Sequence, residues 1–151
     1  MREEGMQSRT VAASPEELFE AVSDFRSYPA WTGNVREVEV LESRSDGQPT
    51  CVKYTSGALG FTAEYTLEYE FDPPREMRWV LREGKITGPL LRADIKHLDG
   101  FYRFDSLDKN LTKVTYKVSA ELSIPLGPLR KRAENVIVSS ALKELQGYVE
   151  A

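Results

Sequence analysis

Few side chains in this chain of 151 residues are equipped for chemistry. His97 is the single histidine and Cys51 the single cysteine. An imidazole titrates near neutral pH, so His97 is the natural candidate for a general acid or base. Its facing depends on the strand that carries it. If Tyr102 and Phe104 point inward, strict alternation turns His97 outward, and a bulge at Asp99-Gly100 would turn it back in. Tyr102 and Arg103 are the other candidates for proton transfer on that stretch. Cys51 has Lys53 two positions on but no further partner at triad-like spacing, and it reads as a quiet sheet cysteine. One histidine and one cysteine do not supply the ligand set of a zinc site. No metal and no cofactor is expected.

The rest of the chemistry is phenolic. Phe61, Ala63, Tyr65, Leu67, Tyr69 and Phe71 stand two apart, with Thr and Glu between them. A period of two makes one apolar face and one wet face. Trp79, Tyr102 and Tyr116 occupy the same kind of position on later strands. A buried tyrosine needs a partner for its hydroxyl. The wall therefore reads either as packed core or as the lining of a pocket whose hydroxyls meet a ligand.

The elements that must hold these residues follow from local signals. Met6 to Ala13 reads as a first strand. Ser14-Pro15-Glu16-Glu17 is a helix start, with a capping box and a proline whose φ is preset. The helix puts Leu18, Phe19, Val22 and Phe25 on one side and ends near Asp24. Tyr28-Pro29 prevents a long continuation, so two short helices are expected in succession. Strands follow at Val35 to Ser43, Thr50 to Ser56, 61–71 and Glu76 to Lys85, with a hairpin turn at Asp46-Gly47 and Asp72-Pro73-Pro74 ending the fourth. Residues 84–94 read as a mobile connection with an apolar tip. Ile95 to Phe104 and Thr112 to Leu122 are the last strands. A helix over roughly 126–149 closes the chain, with Leu126, Leu129, Ala133, Val136, Ile137, Ser140, Ala141 and Leu145 as its inner stripe. Ser140 is placed either to fix a ligand's polar end or to bond to its own backbone four residues earlier. Segregated helices and antiparallel strands make an α+β domain.

One domain fits the length, and a chain of this size hides roughly 70% of the surface it exposes when unfolded. A net charge of −4 argues against a general nucleic-acid binder, which needs clustered Lys and Arg, and leaves room for a local basic patch. No apolar stretch at the N-terminus marks a signal peptide or a membrane span. The single cysteine can form no internal disulfide, and a reducing cytoplasm fits. Seven antiparallel strands curl around whatever covers their concave face, and only the last helix is long enough to do so. A curved sheet and a straight rod mate imperfectly, which predicts a cavity between them.

The start SPEELFEAVSDFRSYPAW, the strand LTKVTYKVSAELSIPLGPL and the closing AENVIVSSALKELQGYVE resemble the START-like, or SRPBCC, superfamily. The resemblance is to its polyketide cyclase/dehydrase and lipid-transport branch, related to coenzyme Q-binding START proteins, and covers residues 6 to 150. It implies a helix-grip fold over the whole chain. It also implies a hydrophobic ligand held by Tyr65, Leu67, Tyr69, Trp79, Tyr102, Tyr116, Val136, Ile137 and Ser140. The leading expectation is a non-enzymatic carrier of a lipid or polyketide-like molecule. The alternatives are a polyketide cyclase/aromatase and a ligand-free interaction module or co-chaperone. In START-like folds the start of the last helix lies near the pocket mouth. Arg130-Lys131-Arg132 is therefore either a solvated face or, with Pro89-Leu90-Leu91, a contact to an anionic membrane.

Overall fold

The computed structural model describes residues 3–58, 60–90, 92–125 and 128–151, and the side chains of these except 3, 4, 58 and 128–134. The chain runs β1 (Glu3–Val11), α1 (Pro15–Ser23), a 3-10 turn (Phe25–Ser27), α2 (Tyr28–Trp31), β2 (Val35–Ser43), β3 (Pro49–Ala58) and β4 (Phe61–Asp72). It continues through β5 (Glu76–Thr87), β6 (Arg92–Asp108), β7 (Leu111–Leu122) and α3 (Pro128–Val149). All seven strands form one antiparallel sheet in the order β1-β7-β6-β5-β4-β3-β2. This is the helix-grip α+β architecture expected from the sequence.

The local signals at the N-terminus act as read. The Ser14 hydroxyl accepts from the Glu17 N–H at 3.2 Å and the Glu17 carboxylate accepts from the Ser14 N–H at 3.4 Å, which starts α1. Leu18, Val22 and Phe25 are buried beneath it. The Tyr28 hydroxyl donates to the Val22 carbonyl, pinning the turn into α2.

Three expectations are corrected. The connection expected over 84–94 shrinks to residues 88–91, because Lys85, Ile86 and Thr87 pair with Asp94, Ala93 and Arg92. β-branched Ile86 and Thr87 suit a strand, and pairing outweighs the nearby glycines. Leu90 is exposed there, and Leu91 lies outside the described residues.

The bulge expected at Asp99-Gly100 is absent. Those residues pair in register with Ser119 and Val118, and the irregularity falls at Lys96, between Ile95 and His97. Gly100 answers to a close approach instead. A Cβ there would come within 2.2 Å of the Lys117 carbonyl oxygen and 2.6 Å of the Trp79 ring. A second irregularity interrupts β4–β5 at Arg82. Between these bulges β5 and β6 part company, from the Trp79–Gly100 pair to the Lys85–Asp94 pair. The Asp99 carboxylate enters the gap and accepts from the Leu81 N–H at 3.3 Å.

The stripe of α3 is also turned. Val138, Leu142 and Leu145 are buried, whereas Val136 is 59% exposed, Ile137 is 40% exposed and Ser140 is exposed. At 3.6 residues per turn, a stripe through Val138, Leu142, Leu145 and Val149 puts Val136 and Ser140 on the far side and Ile137 on a flank. Both rows are periodic in the sequence, and β1 decides between them. Arg9 donates to the Gln146 side chain at 2.8 Å and Gln7 donates to the Asn135 carbonyl at 3.5 Å, fixing the rotation of the helix on β1. Leu126, and the side chains of Leu129 and Ala133, lie outside the described residues.

Candidate functional site

Alternation delivers one side chain in two from each strand to the concave face. On β3 to β7 this supplies Tyr54, Tyr65, Tyr69, Trp79, Tyr102 and Tyr116, and their rings form a continuous wall. Centroids are 5.3 Å apart for Tyr54–Tyr65, 6.1 Å for Tyr69–Trp79 and 5.9 Å for Trp79–Tyr102. Trp79–Tyr116 is 5.6 Å, and Tyr102 meets Tyr116 edge-on at 4.6 Å. From the helical side Phe25 lies 4.2 Å from Tyr69, and Tyr28 stacks on Tyr54 at 6.0 Å. Leu67 is buried on the same face. Such aromatic contacts contribute about 0.5–1.5 kcal/mol each beyond burial.

The hydroxyls divide into two groups. Tyr54 and Tyr69 share a hydrogen bond of 2.5 Å, and Tyr65 bonds to the Ser56 hydroxyl at 2.9 Å. The Tyr102 and Tyr116 hydroxyls and the Trp79 indole N–H bond to no described residue. Among the described residues Ser119 Oγ is the sealed side-chain oxygen without a partner. Burial pushes the pKa of Tyr102 well above the usual phenol value, and Tyr116, Tyr28 and Glu144 add to it. Burial does the same to Tyr28, Tyr54 and Tyr69, and also raises Tyr65 and Tyr116. The wall therefore presents neutral phenols, which can donate hydrogen bonds and are poor bases at neutral pH.

The expected proton-transfer groups part here. Tyr102 is in the wall. His97 faces the convex side, 45% exposed, with Nε2 3.6 Å from the Glu121 carboxylate. The bulge at Lys96 leaves Tyr102 and Phe104 inward and His97 outward, as alternation requires. Arg103 is corrected from a possible inward position. It is 47% exposed, lies 4.6 Å over the Phe101 ring and approaches Glu76 at 3.8 Å. Val136 and Ser140 are turned away from the wall and Ile137 stands at its flank, so α3 contributes Val138 and Leu142 instead. Cys51 is buried, and burial raises its thiol pKa. The side chains of Arg130, Lys131 and Arg132 lie outside the described residues.

Tyr54 and Tyr28 were not picked out as wall residues from the sequence. Tyr54 had a signal, since it alternates with Val52 and Ser56 on β3. Tyr28 was legible only as a helix stop. Trp31 stacks on Tyr148 of α3 at 4.9 Å with its plane tilted by 6°.

The convex face holds a depression of about 490 Å³ crossing β4 to β7. It is lined by the cross-strand row Glu70–Arg78–Phe101–Lys117 and by the pairs Glu68–Val80 and Asp99–Ser119. It lies on the opposite side of the sheet from the tyrosine hydroxyls.

Among known proteins, the model of the polyketide cyclase/dehydrase and lipid transport family matches residues 11–145. No curated protein matches the chain. A START superfamily protein from Mycobacterium smegmatis superposes with a TM-score of 0.86 at 21% identity, over 97% of each chain. The Zhui aromatase/cyclase from Streptomyces sp. R1128 gives 0.78 at 21% identity, covering 99% of this chain and 94% of that one. A protein from Thermus thermophilus gives 0.79 at 25% identity, over 97% of each.

Proposed function

This chain belongs to the polyketide cyclase/dehydrase and lipid transport family, and from that premise we propose that it binds and carries a hydrophobic small molecule between the concave face of the sheet and α3. The observation that carries this reading is the pair of hydroxyls on Tyr102 and Tyr116. They lie in the aromatic wall and bond to no described residue. A dry core would pair them. Burial of apolar ligand surface, at roughly 25 cal/mol per Å², would supply the affinity, and the hydroxyls would set orientation.

The cyclase reading has less support. Ring closure and dehydration need a group that takes a proton near neutral pH. His97 and Arg103 face the other way, and the described titratable groups on the inward face of β3 to β7 are phenols whose ionisation burial opposes.

Native mass spectrometry of the purified protein tests the carrier. A co-purifying mass that leaves on denaturation is expected. A bare protein mass, unchanged after incubation with apolar dyes and lipids, overturns the reading. Transfer would bring exposed Leu90 and the Arg130-Lys131-Arg132 run to an anionic surface. Reversing those three charges should slow transfer to anionic vesicles, and an unchanged rate removes the membrane step.

A further inference from the structure

The inward positions of β3 to β7 carry aromatic, aliphatic and small side chains, and none carries a charge. Their sequence makes this plain: Val52, Tyr54 and Ser56 on β3, Leu67 and Tyr69 on β4, Met77 and Trp79 on β5, and so on through β7. Among the basic side chains of these strands, Lys53, Arg78, Arg82 and Arg103 pair with carboxylates on the convex face. Arg9 points to the concave side. It stands on the β1 edge beneath α3 and is bound to Gln146. The acid that approaches the wall is Glu144 of α3, whose carboxylate accepts from the Gly33 N–H and adds to the upward shift of Tyr102.

Resting on the carrier reading, we propose that this site selects an uncharged ligand bearing an acceptor oxygen among its apolar atoms, and rejects carboxylates such as fatty-acid anions. An anion entering the wall would lose its hydration and meet no described cation there, with the Glu144 carboxylate close enough to Tyr102 to oppose it. A ligand with no polar atom would leave the Trp79 N–H and two hydroxyls without partners. The indole N–H only donates, so its partner must be an acceptor and an ammonium cannot serve. A carbonyl, ether or ester oxygen reaching Trp79 and the Tyr102–Tyr116 pair meets these requirements without adding charge. This chemistry would exclude the commonest anionic lipids of a cell while admitting neutral ketones, phenols and esters of similar bulk.

Dansyl-aminoundecanoic acid and its methyl ester make a matched pair of probes, differing in charge and little else. Titrated into the intact protein at about pH 8, where the acid is ionised, the ester should bind at least about tenfold more tightly. The difference should close as the pH falls through the acid's own titration. Tyr102→Phe and Tyr116→Phe keep the rings, and each should weaken ester binding several-fold, by about 3 to 10 times, with little change for the acid. Acid binding equal to or tighter than ester binding overturns charge selection and leaves the carrier reading standing. Ester affinity untouched by both phenylalanine variants overturns the role of the hydroxyls. Failure of the ester to bind overturns this inference, and a bare mass in native spectra overturns the carrier as well. The comparison of acid with ester in the unaltered protein stands even if a variant folds poorly.

Discussion

Arg78 and Trp79 are neighbours in the chain and sit in different media. Arg78 lies 45% exposed on the convex face, 3.2 Å from Glu70 and 3.3 Å from Glu76. Trp79 is buried on the concave face among Tyr69, Tyr102 and Tyr116. The same alternation repeats across β3 to β7. The convex face is a lattice of exposed ion pairs such as Glu42–Arg82–Glu68, and the concave face is an uncharged aromatic wall. The convex face interacts through charges that water screens. The concave face interacts through packed rings and unscreened hydroxyls. The position of a side chain along the sheet therefore matters less to its energetic weight than its parity.

Removing Trp79 should separate the faces most. Trp79→Ala deletes a ring in contact with three others and should cost about 4 kcal/mol in urea denaturation. Arg78→Ala, one residue away, removes an exposed pair and should cost no more than about 0.5 kcal/mol. Similar losses at the two sites would break the contrast.

Gly100 is where the faces come closest, with the Trp79 ring on it and the Lys117 carbonyl beside it. Gly100→Ala leaves no room for either and should cost about 3 kcal/mol, read as a lower denaturation midpoint. A stable alanine variant would show that the wall can slide over the sheet.

Alkaline pH should act chiefly on the concave face. The folded chain holds Tyr28, Tyr54, Tyr69 and Tyr102 neutral, chiefly through burial, beyond the pH at which they ionise in the unfolded chain. The unfolded state therefore releases protons first. Stability should be flat below about pH 9 and fall as pH rises through about 10. Urea midpoints measured across that range test it. Midpoints that stay level to about pH 11 would mean that these phenols reach water.

The parity of the strands was legible because it needs only a period of two. Tyr65, Leu67, Tyr69, Trp79, Tyr102 and Tyr116 all reach the concave face as alternation requires. The rotation of α3 was not legible, because two apolar rows run along it and the choice depends on Arg9 and Gln7, more than a hundred positions away. Gly100 shows the same limit. Asp-Gly in a strand reads as a bulge, and only the indole of Trp79 on the neighbouring strand explains the glycine otherwise. Long-range contacts of this kind leave no local trace. Tyr54 was the reverse case, with its parity visible and its place in the wall overlooked.

The finest contrast lies within the wall, between hydroxyls that are paired and hydroxyls that are open. Tyr54→Phe removes one end of the 2.5 Å bond to Tyr69 and strands the Tyr69 hydroxyl in a buried site. That should cost about 1.5 kcal/mol, most of it from the group left behind. Tyr116→Phe removes a hydroxyl that bonds to no described residue, so stability should change by less than about 0.5 kcal/mol while the ring keeps its packing. Chemical denaturation of the two variants side by side decides it. If Tyr116→Phe cost as much as Tyr54→Phe, its hydroxyl would be part of the structure's own bonding, and the reason for assigning it to a ligand would be gone.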